Sequence, residues 1–270
     1  MSTTTNIAIQ PNSPTPTWAR AFGGVWRLTY LRYLTPNYLM VVGGLLAALG
    51  LLVYSALHTS NPQRLERGFA EWSVHFYLTM VVPIISFLTA AGLIQDDAKP
   101  STVDYVLTRP IRRYFFVLYR YASLLMCMQV QFLIAIVVLV AVGGARSVPD
   151  LADSAPSLIA AQLFAVTAFT AMGFAFGSIT SRYVVLGLVY GAIIEIGIGN
   201  IPTQLSRLSM LHHVRTVASS VLPFRGRAAL AVDSLPTAIG SLLVFSVVCV
   251  ALAAVLFALR ETAGTKPKDV

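Results

Sequence analysis

Apolar residues run in long, unbroken stretches along this chain, with short polar segments between them. A membrane-spanning helix needs about 20 mostly apolar residues. Six stretches meet that requirement, at residues 38–57, 74–94, 121–142, 158–180, 184–201 and 238–259. The stretches are continuous rather than alternating, and a helix satisfies its own backbone hydrogen bonds in lipid. The pattern therefore predicts an all-α membrane protein with a six-helix transmembrane domain over residues 37–260.

Polar and amphipathic segments flank these spans. Residues 1–17 are polar and proline-rich, which is typical of a disordered tail, and residues 261–270 form a second short tail. Between the first tail and the first span, residues 18–36 carry an aromatic stripe at helical spacing, with basic residues on another face. The stripe consists of Trp18, Phe22, Val25, Trp26, Thr29 and Tyr33. This pattern favours an amphipathic helix lying in the membrane interface; a cytoplasmic extension of the first span is the alternative.

Charge supports the membrane location and orients the chain. Only 11% of the residues are charged, against about 25% in soluble domains, and the mean hydropathy is +0.73. The net charge of +8 does not indicate a nucleic-acid partner, because the basic residues lie beside apolar spans. With both termini in the cytoplasm, 12 of the 19 Lys and Arg residues lie inside. The others are Arg64, Arg67, Arg146, Arg207, Arg215, Arg225 and Arg227.

The longest charge-rich segment between two spans covers residues 95–120, with the sequence QDDAKPSTVDYVLTRPIRRYFFVLYR. A short helix is predicted over residues 102–107, with an acid in its first turn and an end before Pro110. Its apolar residues recur at i, i+3 and i+4, a stripe suited to a groove on a partner protein. They are Val103, Val106 and Leu107. The alternative is a solvated loop whose arginines only fix the topology.

This segment resembles the first cytoplasmic loop of the type-2 ATP-binding-cassette (ABC) permeases. In that family an acidic residue precedes Gly-Thr, an apolar helix, a Ser/Thr-x-Pro and an Arg, and Gly-Lys begins the next span. Here Ser101 and Tyr119 stand in place of the two glycines, and Arg120 in place of the lysine. The resemblance implies a cytoplasmic coupling helix and ATPase-coupling roles for Asp97, Thr102, Val103, Asp104, Val106, Leu107, Arg109, Pro110 and Arg113.

The resemblance implies the permease subunit of an ABC exporter in the inner (cytoplasmic) membrane of a bacterium. The sequence contains no Gly-x-x-x-x-Gly-Lys-Ser/Thr motif, so we expect no ATPase activity in this chain. ATP and Mg²⁺ would bind a separate ABC ATPase subunit. The other expected partners are a second permease copy (identical or a sister chain), membrane lipid and an extracytoplasmic protein. The alternative is a non-transporting ABC-type subunit that transmits ATP-driven movement to that protein, in mechanotransmission or maturation.

Three polar residues in the predicted spans are candidates for a translocation pathway or an interface. Glu195 is the acid placed clearly within a span, and an ionisable residue there is a functional hypothesis. Hydration near the outer headgroups is the alternative. Gln129 and Gln131 lie in the third span and need polar partners. Residues 202–236 are too long and too apolar for a simple loop, and we expect a helical extracytoplasmic segment there.

Two short runs contain residue types that bind metals. Met126, Cys127 and Met128 carry soft sulfur ligands, and His212 and His213 adjoin in the outer segment. Neighbouring residues of a helix point in different directions, and no zinc-type spacing accompanies either run. No metal site and no cofactor are therefore expected in this chain.

Overall fold

The computed structural model describes residues 18–33, 35–58, 61–99, 113–200, 204–219 and 233–262. These residues are 91% helical and contain no strand, which confirms the all-α prediction. Within them, nine α-helices follow in order: α1 Trp18–Tyr33, α2 Pro36–Ala56, α3 Pro62–Glu71, α4 Val82–Asp97, α5 Arg113–Ala145, α6 Leu151–Ile179, α7 Tyr183–Tyr190, α8 Met210–Ala218 and α9 Leu235–Thr262. A π-helical stretch, Trp72–Val81, joins α3 to α4, and a second, Gly191–Gly197, extends α7. Short 3₁₀ turns at Ile198–Asn200 and Gln204–Leu208 precede α8.

Five helical stretches in the described residues are long and apolar enough to cross a membrane. They are Pro36–Ala56, Pro62–Asp97, Tyr114–Ala145, Leu151–Ile179 and Leu235–Leu259. The predicted span 184–201 forms instead the shorter apolar helix Tyr183–Gly197. Its eight α-helical and seven π-helical residues extend roughly 20 Å, less than the roughly 30 Å hydrocarbon core of a bilayer. The chain is thus an integral membrane protein by composition and helix length, with five candidate spans.

The helix α6 forms the centre of the bundle. Of its most apolar stretch, 72% is buried within the chain, against 17% for α2. It packs against α4 through small residues. A Cβ atom built on Gly173 would lie 2.6 Å from the Phe87 carbonyl oxygen, and one on Gly177 would lie 2.4 Å from Ile94 Cγ2. The two backbones therefore approach as closely as glycine allows, and we call this contact the α4–α6 seam.

The helix α1 lies where the amphipathic helix was predicted, but it packs partly on the protein. Val25 and Thr29, which belong to the predicted stripe, are buried. The ring of Phe22, another member, meets Tyr119 of α5 edge-on with centroids 5.8 Å apart. Leu28, by contrast, is 51% exposed. The stripe thus covers α5, and the apolar residues that remain open lie on a different face of α1.

Two opposite faces of the bundle can be defined from its contacts. On the first, which we call the loop face, Arg32 of α1 contacts Asp96 at the end of α4, and Gln95 Nε2 donates to the Thr180 carbonyl after α6 at 3.0 Å. On the second, the far face, Arg146 Nη2 donates to the Tyr54 carbonyl at 2.9 Å, and its guanidinium lies over the Tyr54 ring. The segment 100–112 joins helices on the loop face, and it lies outside the described residues.

The α4–α6 seam predicts a sharp difference between glycines. In Gly173→Ala, the added methyl group has no space between two backbones, and we expect a loss of about 1–3 kcal/mol of stability, the cost of overpacking. The matched control is Gly44→Ala in α2, where nothing lies within 4 Å of the built Cβ. Thermal unfolding in detergent measures both. Equal melting temperatures for the two variants would contradict the seam.

Candidate functional site

A buried ion pair holds together the two helices that flank the segment 98–112. Arg120 Nε of α5 donates to Asp97 Oδ2 at 2.7 Å, and Arg120 Nη2 donates to Asp97 Oδ1 at 3.0 Å. This two-point geometry is the strongest arrangement of an arginine with a carboxylate. The side chains of Arg120 and Asp97 are only 8% and 7% exposed. The ends of α4 and α5 are thereby joined independently of the residues between them.

The same arginine extends the contact to α1. Arg120 Nη1 donates to Thr29 Oγ1 at 2.8 Å. The Thr29 hydroxyl in turn donates to the Val25 carbonyl of its own helix at 3.0 Å, so its oxygen is available to accept. We call Thr29, Asp97 and Arg120 the clamp. It unites three helices around one charged group, and it leaves neither charge unpaired inside the protein.

A second, exposed ion-pair group lies beside the clamp. Asp96 accepts from Arg32 Nη2 at 2.6 Å and from Lys99 Nζ at 2.7 Å. The side chains of Arg32, Lys99 and Asp96 are 48%, 64% and 37% exposed, so water and salt screen these contacts. Pairs of this kind contribute at most about 1 kcal/mol. The buried clamp, rather than this surface group, fixes the geometry of the loop face.

The structure describes only part of the predicted coupling site. Asp97 lies in the clamp, and Arg113 is the first residue of α5, with its side chain outside the described residues. The other predicted coupling residues lie outside the described residues together with the helix predicted over 102–107: Thr102, Val103, Asp104, Val106, Leu107, Arg109 and Pro110. The structure therefore fixes where this segment leaves and re-enters the bundle.

The two glutamines of the third predicted span connect α5 to neighbouring helices. Gln129 Nε2 donates to the Leu163 carbonyl of α6 at 2.9 Å. On the other side, Gln131 Oε1 accepts from the Tyr38 hydroxyl of α2 at 2.8 Å. Each amide thus finds a partner on another helix of the same chain, and together they position α5 between α2 and α6.

Glu195 lies in the second π-helical stretch and is 4% exposed. Its Oε1 accepts from the Met210 amide at 3.1 Å, and its Oε2 accepts from the Leu211 amide at 3.0 Å and from the Ser209 hydroxyl. These donors form the N-terminus of α8, where unsatisfied amides and the helix dipole favour a negative charge. Glu195 therefore caps α8 within the chain.

The far face also brings together residues that are distant in sequence. His212 and His213 of α8 lie beside Asp233, which precedes α9, and all three are buried. Burial lowers the pKa of His213 below its usual range, so its neutral form prevails at pH 7. The expectation that two adjacent histidines diverge missed this grouping. Asp233, whose carboxylate lies beside the two histidines, is 20 residues further along the chain than His213, and no local sequence pattern predicts that they meet.

The clamp predicts opposite outcomes for two adjacent aspartates. Asp97→Asn leaves the Arg120 charge buried without a counter-charge, a loss of about 3–5 kcal/mol. Asp96→Asn removes only exposed pairs, and we expect a loss of at most about 1 kcal/mol. Melting temperatures of the two purified variants in detergent test this difference. Should both melt within a degree of the wild type, the clamp does not stabilise the fold.

No protein-family model matches the chain, and no curated protein matches it. The resemblance of residues 101–113 to the ABC permease loop therefore stays a prediction carried by that segment's own sequence and by the layout of the apolar stretches.

Proposed function

We propose that this chain is the membrane-spanning permease subunit of an ABC exporter, powered by a separate ATPase that docks on the first cytoplasmic loop, residues 95–120. The observation that carries the proposal is the clamp. A docking segment transmits force only when its two ends are attached to helices that move with it. Asp97 and Arg120 attach both ends to one buried group, which also includes α1.

The path from the loop face into the bundle supports the same function. The helix α4, which leads into the segment, meets α6 backbone to backbone at the α4–α6 seam. Gln95, two residues before Asp97, donates to the carbonyl of Thr180, the residue that follows α6. A displacement of the segment would therefore move α4 and the central helix together, rather than a peripheral part of the bundle.

The energy source would lie on a partner. The sequence has no loop that could cradle nucleotide phosphates, whereas the segment 98–112 combines an apolar stripe with a cluster of arginines. In the proposed assembly two permease chains, identical or related, face two ATPases, each docked on one segment. In the proposed orientation both termini of the permease and its loop face lie in the cytoplasm of a bacterium, and the far face lies outside the inner membrane. The short helix Tyr183–Gly197 then returns the chain from the loop face toward the far face.

Docking predicts a strong effect of acidic substitutions in the apolar stripe. Val106→Asp with Leu107→Asp places two charges in the proposed contact. Since a central contact residue contributes about 2 kcal/mol or more, we expect more than about a tenfold loss of bound ATPase. The measurement is vanadate-sensitive ATP hydrolysis that co-purifies with the tagged chain from its native host.

The matched control is Leu205→Asp with Leu208→Asp. These leucines precede α8 and are 55% and 58% exposed, so the same two charges enter a different exposed surface. The control should retain the ATPase. Equal retention by both double variants, with both inserted in the membrane, would refute docking on this segment.

A second candidate function is mechanical transmission to an extracytoplasmic partner. The observation that favours it is the attachment of α8, whose N-terminus is fixed by Glu195 while the helix itself is buried on the far face. Movement of α7 would thus reach α8 directly through one carboxylate. In this version nothing crosses the membrane, and the partner on the far side receives the movement.

Glu195→Gln distinguishes the two functions. An amide presents a donor group toward the Ser209–Leu211 donors, and we expect a local loss of about 1–3 kcal/mol at the N-terminus of α8. Proteolysis within residues 204–219 measures that loosening. The variant should keep its ATPase in either case. Mechanical transmission requires that the variant loses the partner's ATP-dependent response, whereas export predicts that the variant still releases cargo. The control is Glu71→Gln, which makes the same change at an exposed position.

A further inference from the structure

Two histidines and one aspartate converge on the far face. His212 and His213 come from α8, and Asp233 stands two residues before α9. One potential ligand atom from each residue lies within 4.8 Å of the other two. The three residues are 7%, 2% and 8% exposed, so the cluster is shielded from water.

The hydrogen bonds of these residues leave one buried polar atom of each without a partner among the described residues. His213 Nε2 bonds the Arg207 carbonyl at 2.9 Å, which leaves its Nδ1 without a partner among the described residues. Arg207 Nη2 lies 2.8 Å from Asp233 Oδ1, which leaves Oδ2 without a hydrogen bond. His212 Nε2 is likewise without one. Buried polar atoms are nearly always satisfied, so an unsatisfied atom on each residue of one cluster indicates a ligand.

A direct hydrogen bond between His212 and Asp233 does not account for the arrangement. Their Nε2 and Oδ2 atoms lie 3.4 Å apart, beyond the 2.7–3.2 Å of a good N–H···O hydrogen bond. Two ligand atoms that each lie about 2.1 Å from a tetrahedral ion are about 3.4 Å apart, the separation seen between His212 Nε2 and Asp233 Oδ2. The ligand atom of His213 lies within 4.8 Å of those of His212 and Asp233, so each of these two distances needs to shorten by at most about 1.4 Å to reach the tetrahedral value.

We infer that His212, His213 and Asp233 bind one divalent transition-metal ion of the zinc type. Two imidazole nitrogens and one carboxylate oxygen are a ligand set that Zn²⁺ accepts, with a fourth position left for water or another ligand. The guanidinium of Arg207 binds the other oxygen of the Asp233 carboxylate, and the backbone carbonyl of Arg207 orients the ring of His213. Outer partners of metal ligands act in the same way. The proposal does not depend on the proposed function.

The ion would join α8 to the segment that leads into α9. Residues 220–232, which connect them along the chain, lie outside the described residues. The two histidines precede these residues and Asp233 follows them. One bound ion would therefore link α8, the helix capped by Glu195, to α9, the last membrane-spanning helix. The metal would therefore stabilise the far face, because binding energy that exists only in the folded chain adds to its stability.

Zinc titration of the full chain in detergent tests the site. The protein is purified without a polyhistidine tag, stripped with a chelator and titrated with Zn²⁺ against a chromophoric competitor. We expect saturation at one ion per chain. His213→Gln and Asp233→Asn should each weaken binding more than about 100-fold, the upper end of the effect of losing an outer partner. His58→Gln, at an exposed position before α3, should leave binding unchanged.

Two further measurements distinguish loss of the metal site from misfolding of a variant. Co²⁺ in place of Zn²⁺ should give the visible absorption of a tetrahedral site in the wild type and lose it in His213→Gln. Saturating Zn²⁺ should raise the melting temperature of the wild type by roughly 5 °C or more above its metal-free value, and leave His213→Gln at the metal-free melting temperature of that variant. The inference is overturned if the wild type does not saturate, or if His58→Gln and His213→Gln weaken binding equally.

Discussion

Removing a guanidinium and a carboxylate from water is costly, and the cost is offset only when the two groups meet in good geometry. Arg120 and Asp97 satisfy this condition at the ends of two long helices, so those ends cannot separate without exposing one charge to an apolar interior. Thr29 binds the same guanidinium, and α1 is subject to the same constraint. The arrangement of α1, α4 and α5 on the loop face follows from this one group.

A second constraint acts in the middle of the bundle. At the α4–α6 seam the backbones touch, so neither helix can rotate against the other without a clash. Gln129 and Gln131 then hold α5 between its neighbours by directional bonds rather than by shape. As a result α4, α5 and α6 are held against one another, and on the far face Glu195 binds the N-terminus of α8.

The sequence predicted what depends on local composition. The apolar stretches located the five long helices, because that pattern is carried by consecutive residues. The interfacial position of residues 18–36 stays a prediction. Five spans were recovered as long helices, whereas the stretch 184–201 proved shorter, since a π-helical segment and 3₁₀ turns end it early. The roles of single polar residues were less accessible: Glu195 bonds amides 15 and 16 residues away, and Asp233 meets histidines across 20 residues. Such partners depend on tertiary packing, which no spacing rule encodes.

The unequal burial of the helices has a consequence for how this sequence can vary over time. In the most apolar stretch of α6, 72% is buried, so most substitutions there change a packed contact and are tolerated only with a compensating change elsewhere. In α2 most side chains are open, and one aliphatic residue can replace another without effect on the fold. Divergence from a common ancestor would therefore accumulate first along α2, and a lasting record of ancestry would survive in the small residues of α6.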